Sequence, residues 1–153
     1  MENNSQDFNK ETNQAVYFFT PPHYALDNFS AFSVEIWGKL FMTSEHAYQW
    51  KKYHVNHLDI AEEIFTAGSS HQVKKISDAN KDKVSSDFHK DKIYIMEEIL
   101  RVKLQQHEKV QRTLKETGSK EIIENNPNDE FWGIGSGNGQ NMLGKIWMKI
   151  RDN

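Results

Sequence analysis

The sequence predicts a mainly α fold, a single compact helical domain with a small N-terminal β element. Three observations predict it. Strand-like apolar alternation is concentrated before Thr43. From Thr43 onward apolar residues recur at helical spacing, and three of the segments open on Ser, Thr or Asp, the residues that satisfy free amides at a helix start. A chain of 153 residues is also one domain's worth, able to bury about two thirds of the surface its unfolded form exposes.

The elements follow in order. Residues 1–14 are polar, rich in Asn and Gln and without periodicity, which predicts a flexible arm ahead of a domain over 15–153. Residues 15–20, Ala-Val-Tyr-Phe-Phe-Thr, read as a strand stopped by Pro21-Pro22. Asp27, Asn28, Phe29 and Ser30 form a turn-rich segment. Alternation over 32–37 predicts a second strand, with Gly38 and Lys39 turning it into a short partner over 40–42. Thr43 or Ser44 caps a helix running to about residue 57. Asp59 with Glu62 resembles a capping box for a helix ending at Gly68, and Ser69 with Gln72 repeats the signature for a short helix to about residue 76. Residues 77–87 are charged and predicted as loop. The longest helix runs from Phe88 to about His107, and its dense apolar positions (Ile95, Met96, Ile99, Leu100) make it a central core element. Val110 and Leu114 mark another helix, stopped at Gly118. Ile122 and Ile123 are a possible last strand. Met142, Leu143, Ile146, Trp147 and Ile150 then form one face of a closing helix. No internal repeat or linker interrupts the chain.

The totals exclude several classes. There is no cysteine, so disulfides, thiolate nucleophiles and Cys-based metal sites are ruled out. No stretch approaches the roughly 18 apolar residues of a membrane span, and the first 14 residues lack the basic start and apolar run of a secretory signal. The cytoplasm is the expected setting. A net charge of −3 argues against an extended nucleic-acid footprint, though not against one nucleotide pocket. Aromatic residues make up 12% of the chain, a supply that predicts a ring-rich core or site.

Two regions invite a chemical reading. Helical spacing puts Glu45, Gln49 and Lys52 on one stripe, with Tyr48 beside it and His46, Trp50 and Tyr53 opposite. Such a stripe either faces water, the ordinary place for charge on a helix, or lines a site. Spacing alone does not choose. Four of the eight glycines fall between Gly133 and Gly139, directly after Asp129, Phe131 and Trp132. Each Gly is entropically costly to order, so a chain that concentrates them needs the loop's shape. Two nucleotide-binding readings of this loop fail on context. A dinucleotide fingerprint starting at Gly133 has Asn138 in its third glycine slot, and too few residues follow for its acid. A phosphate loop from Gly139 to Lys145 has Ile146 where a Mg²⁺-binding hydroxyl is required. The seven histidines are scattered; His54 and His57 share a face but no third metal ligand accompanies them.

Taken together, the motifs resemble the NADAR family, the YbiA-like N-glycosidases, over residues 17–151. The ordered set is Asp27-Asn28-Phe29-Ser30; Glu45-His46 with Gln49, Lys52 and Tyr53 against the family's Glu-His-x-x-Gln-x-x-Lys-Phe; Phe88, where the family usually has Trp; Met96 with Lys103; Thr117-Gly118; Glu124; Asp129; Trp132-Gly133-Ile134-Gly135; Asn141; Leu143-Gly144; and Met148 with Arg151. The resemblance implies a helical fold with a small β part and a pocket for ribosyl compounds related to NAD and ADP-ribose. Members hydrolyse N-glycosidic bonds, of phosphorylated ribosylaminopyrimidine intermediates of riboflavin synthesis in one branch and of ADP-ribosyl-guanine adducts in others. Breaking a ribosyl C–N bond builds positive charge at C1′, which a nearby carboxylate stabilises while it takes a proton from the attacking water. Glu45 is the first candidate for that role and Asp129 the second. Trp132 or Phe88 would stack on the base, Lys52 and Arg151 would meet phosphate, and Asn28, Gln49 and Asn141 would bond ribose or base edges. Phe29, His46 and Gly133 complete the expected pocket. No metal or cofactor is required. The expected partner is a small ribosyl nucleotide or ADP-ribosylated base, and no membrane. The runner-up is a non-catalytic ADP-ribose- or NAD-binding module in nucleotide signalling or phage defence, for which two acids facing a phosphate-rich ligand would be a handicap.

Overall fold

A computed structural model describes residues 7–153. In chain order it forms β1 (Lys10–Glu11), β2 (Ala15–Phe18), β3 (Val34–Ile36), β4 (Lys39–Phe41), α1 (Ser44–Tyr53), α2 (Leu58–Thr66), α3 (Ser70–Asp78), α4 (Ser86–Gln106), α5 (Glu108–Glu116), β5 (Glu121–Glu124) and α6 (Met142–Asp152). These elements gather into two compact units, residues 1–27 with 112–153, and residues 28–111. One of the two is discontinuous in sequence.

In the discontinuous unit, β2 lies between β1, antiparallel to it, and β5, parallel to it. Val16, Phe18 and Ile122 are buried in this sheet, and α6, with Leu143, Ile146 and Trp147 buried, packs on β5. The Trp147 indole donates to the Leu26 carbonyl at 2.9 Å, which satisfies the one polar atom of a ring that is otherwise apolar and fully buried. Within the expected arm, residues 9–11 bond to β2 and the residues just after it. Asn9 accepts from the amides of Phe19 and Thr20 and donates to the Thr20 carbonyl, and β1 continues that pairing. A side-chain amide that mimics a strand edge has no apolar signature, so polarity concealed the element. Residues 1–6 of the arm lie outside the described residues.

In the second unit, the β3–β4 hairpin turns at Trp37 and Gly38, both at positive φ (54° and 76°). Two such residues match the right-handed twist of a two-residue hairpin. The turn falls one position before the Gly38–Lys39 expected. Trp37 is held there by a 3.1 Å bond from its indole to Glu98 and by stacking on Trp50. α1, α2 and α3 pack around Tyr53, Ile60, Ala61, Ile64, Ala67 and Val73. α4 crosses β3 and α1 with Ile95, Met96, Ile99 and Leu100 buried. The capping expectations hold at Thr43 and Ser69, whose side chains accept from His46 and Gln72 amides. They fail at Asp59: α2 is preceded by His57, with no side-chain cap, and Asp59 sits in the first turn. There its carboxylate still favours the positive helix end.

Candidate functional site

The second unit centres its polar chemistry on α1. Every residue from Ser44 to Gln49 is buried, so the stripe of Glu45 and Gln49 does not face water. Thr43 caps the helix and fixes its entry. Its hydroxyl lies 2.7 Å from His46 Nδ1 and 3.0 Å from Ser70. His46 Nε2 is 2.9 Å from the Ala67 carbonyl, which can only accept, so Nε2 carries the proton and Nδ1 accepts from Thr43. Burial pushes the imidazole below its ordinary pKa and keeps it neutral. His46 is fully buried, with both nitrogens used inside the protein. Instead of contacting a ligand it ties α1 to the α2–α3 connection.

Glu45 emerges one residue earlier on the helix. Its amide bonds the Asn28 carbonyl at 3.2 Å, and its Oε1 accepts from Gln49 Nε2 at 2.7 Å. Gln49 Oε1 in turn accepts from the Ser77 hydroxyl at 2.5 Å. The Tyr53 hydroxyl lies within 3.3 Å of Ser77 Oγ and of the Ser77 and Asn80 carbonyls, and burial raises its pKa. Lys52 completes the constellation. Its ammonium lies 5.1 Å from the centre of the Tyr48 ring and 5.7 Å from that of Phe88. Desolvation brings its pKa down from 10.5 to about 8, against the opposing attraction of Glu45 and Asp78; Lys74 and Lys92 lower it further. Phe88 is itself buried, tilted on Tyr48 at 5.4 Å, a wall of the site more than an open stacking platform. Asn28 is buried, donates to the Met96 sulfur at 3.4 Å, and leaves Oδ1 without a donor among the described residues. Such an acceptor is costly unless a ligand group meets it. Phe29, beside it, stands edge-on to His71 at 5.0 Å. It lines an open cavity of about 930 Å³ with Phe32, Phe41, Phe65 and His71. A motif residue to which the sequence assigned no role, Lys103, is fully buried and donates to Ser30 at 2.9 Å.

Asp129 belongs to the discontinuous unit. Its Oδ1 accepts from the amides of Phe131 and Trp132 at 3.0 and 2.8 Å, which folds the acid back onto the loop it precedes. The Trp132 ring is half-buried and edge-on to Phe131 at 4.8 Å. The other expected contacts of this unit are spent on structure. Asn141 sits at φ 51° with its Oδ1 accepting from the Glu124 amide and its Nδ2 donating to the Ile122 carbonyl. Arg151 donates to the Lys120 carbonyl at 2.6 Å, to the Thr117 hydroxyl and to Asp152. A Cβ on Gly133 would stand 2.9 Å from the Glu124 carbonyl, so this glycine admits the loop against β5, not a ligand. Gly144, the sixth position of the apparent phosphate loop, is likewise pressed on the Ile122 carbonyl. Among the described residues no three His, Asp or Glu side chains gather to hold a metal ion, and no helix is long and apolar enough to cross a membrane.

Ser77 and Tyr53 were not legible as site residues. Their bonds run between α1 and α3, and no spacing within one helix encodes them.

α1 thus gathers a buried carboxylate braced by an amide and an ammonium lying near two aromatic rings, with the carboxylate's charge acting on the ammonium. The chain belongs to the NADAR domain family, whose model matches residues 7–153 and so spans both units. It is 29% identical to the N-glycosidase YbiA of Escherichia coli over 140 residues, 89% of this chain and 85% of that one. It is 30% identical to an N-glycosidase of Nostoc punctiforme, over 90% of each. A riboflavin biosynthesis protein of Vibrio vulnificus is 31% identical over 142 residues; the chain covers 91% of itself and 38% of that longer protein. The NMR structure of Escherichia coli YbiA superposes with a TM-score of 0.80 at 26% identity, covering 95% of this chain and 87% of that one.

Proposed function

We propose that this enzyme, a hydrolase of N-glycosyl bonds, cleaves the C–N bond between ribose C1′ and a base. The substrate is a phosphorylated ribosylaminopyrimidine or an ADP-ribosyl-guanine adduct in the cytoplasm. The observation that carries the reading is Glu45, a buried acid that accepts an N–H from Gln49 beside the Lys52 ammonium. As the C1′–N bond breaks, its electron pair leaves with the base. Water oxygen then bonds C1′ while its proton passes to the Glu45 carboxylate, and a proton returns to the base nitrogen. Lys52 meets a phosphate oxygen, and the open acceptor of Asn28 receives a ribose hydroxyl or a base N–H. Asp129 is the second acid of the proposal, with Trp132 as its aromatic neighbour. His46 shapes the Glu45 site by fixing α1, and Gly133, Asn141 and Arg151 shape the discontinuous unit that carries Asp129. A non-catalytic binding module gives no reason to bury a carboxylate near phosphate-binding groups.

The test is incubation with a ribosylaminopyrimidine phosphate and with ADP-ribosylated guanosine, reading the released base and sugar phosphate by chromatography. Release from one of them is expected. Glu45→Gln should bind that substrate and fail to turn it over. Normal turnover by Glu45→Gln would remove Glu45 from the chemistry and leave Asp129 as the candidate.

A further inference from the structure

We infer that Ser77 is a positioning residue for the reaction, locking the Gln49 carboxamide so that it presents N–H to Glu45, with Tyr53 holding Ser77 in turn. The inference rests on the reading of Glu45 as the catalytic carboxylate.

A glutamine amide has two nearly isosteric ends, and only one suits an ionised acid, which accepts and never donates. If Gln49 turned over, its carbonyl would face Glu45 and repel it. The bond that forbids this comes from another helix. Ser77 on α3 donates to Gln49 Oε1 at 2.5 Å, and its single hydroxyl proton is thereby committed. The Tyr53 hydroxyl, at 3.2 Å from Ser77 Oγ, must then act as the donor toward it. It shares that proton with the Ser77 and Asn80 carbonyls, pinning the end of α3 to α1. All four members are at most 6% exposed: Tyr53 0%, Ser77 2%, Gln49 4% and Glu45 6%. Water is therefore a poor substitute for any lost partner, and the order of donors runs one way from Tyr53 to the acid.

The experiment compares Ser77→Ala, Ser77→Thr and Tyr53→Phe in the full chain, using the substrate that the wild type cleaves, with melting temperatures alongside. Ser77→Ala should lower kcat about tenfold with KM changed by less than about twofold, the size expected when one buried hydrogen bond is lost. Ser77→Thr, which keeps the hydroxyl, should recover most of the loss. Combined with Glu45→Gln, Ser77→Ala should cost nothing more, because the acid it positions is gone. An unchanged kcat in folded Ser77→Ala, or a rise in KM alone, would overturn the inference while leaving Glu45 in place. Should Ser77→Ala fail to fold, Tyr53→Phe decides: a loss of kcat of about threefold at constant KM supports the relay, and wild-type kcat overturns it. If Glu45→Gln proves fully active, the Glu45 reading fails first and takes the relay's purpose with it.

Discussion

Lys52 carries its ammonium against the rings of Tyr48 and Phe88, and desolvation outweighs the pull of Glu45 on it. Its pKa near 8 has two consequences. The folded state sheds this proton before the unfolded state, whose lysine titrates near 10.5. Below pH 8 both states are protonated and the cost of burying the charge is fully present; between pH 8 and 10.5 it is relieved. Lys52→Met should therefore gain most over the wild type in thermal melts below pH 8, and that gain should shrink as pH rises to 10.5. In catalysis the sign is opposite: if Lys52 meets phosphate as proposed, kcat/KM should decline above about pH 8, and Lys52→Met should lack that limb. His46 acts at the acid end. Its pKa is lowered by burial, so as pH falls below 6.5 the unfolded state takes up a proton that the folded state refuses, and stability drops. Sequence spacing placed Glu45, Gln49 and Lys52 on one stripe correctly. It did not tell which way the stripe faces, because α1 is buried on nearly every side and its composition lacks the polar-against-apolar contrast that orients a helix.

The element that the glycine count singled out is the connection from Asp129 to Asn141. Its composition signalled a demanding shape, and the structure gives the demand: the loop folds back so that Ile134 bonds the Glu124 carbonyl and Asn141, Met142 and Leu143 donate to the carbonyls of Gly133, Phe131 and Trp132. α6 then starts hard against β5. What composition did not convey is the partner, a strand edge in the same unit instead of a ligand. Gly144→Ala would drive a methyl group into the Ile122 carbonyl and the Asn141 amide. It should cost about 3 kcal/mol or more in denaturant unfolding, well beyond the roughly 0.5–1 kcal/mol gain of a Gly→Ala change in an open helix. Asn141→Ala deletes two bonds to β5 while keeping the strained positive φ, whereas Asn141→Gly deletes the same bonds and relieves the backbone. Both should destabilise, the Ala variant more by about 1 kcal/mol. Equal losses would mean that the backbone conformation is unstrained.

At the scale of the whole molecule, the order of helices and the positions of the β2, β3 and β4 strands were legible because each is encoded locally, by alternation, caps and apolar spacing. The division into two units was not. The chain leaves one at Asp27, builds residues 28–111 as the other, and returns at Arg112. No composition shift marks either crossing. That connectivity sets an order of assembly. β2 and β5 come from opposite ends of the chain yet pair in parallel, Val16 against Ile122 and Tyr17 against Ile123. Closing so long a loop costs entropy before any contact rewards it, whereas α1, α2 and α3 are joined by short turns around one apolar cluster. Residues 28–111 should therefore structure first and the β2–β5 pair last. Ile122→Val should speed unfolding and leave the refolding rate nearly unchanged, while Ile64→Val, in the helical cluster, should slow refolding. Stopped-flow chevrons of the two variants separate these effects. If Ile122→Val slowed refolding as much as Ile64→Val, the parallel pair would already be formed at the transition state, and the discontinuous unit would nucleate folding instead of closing it.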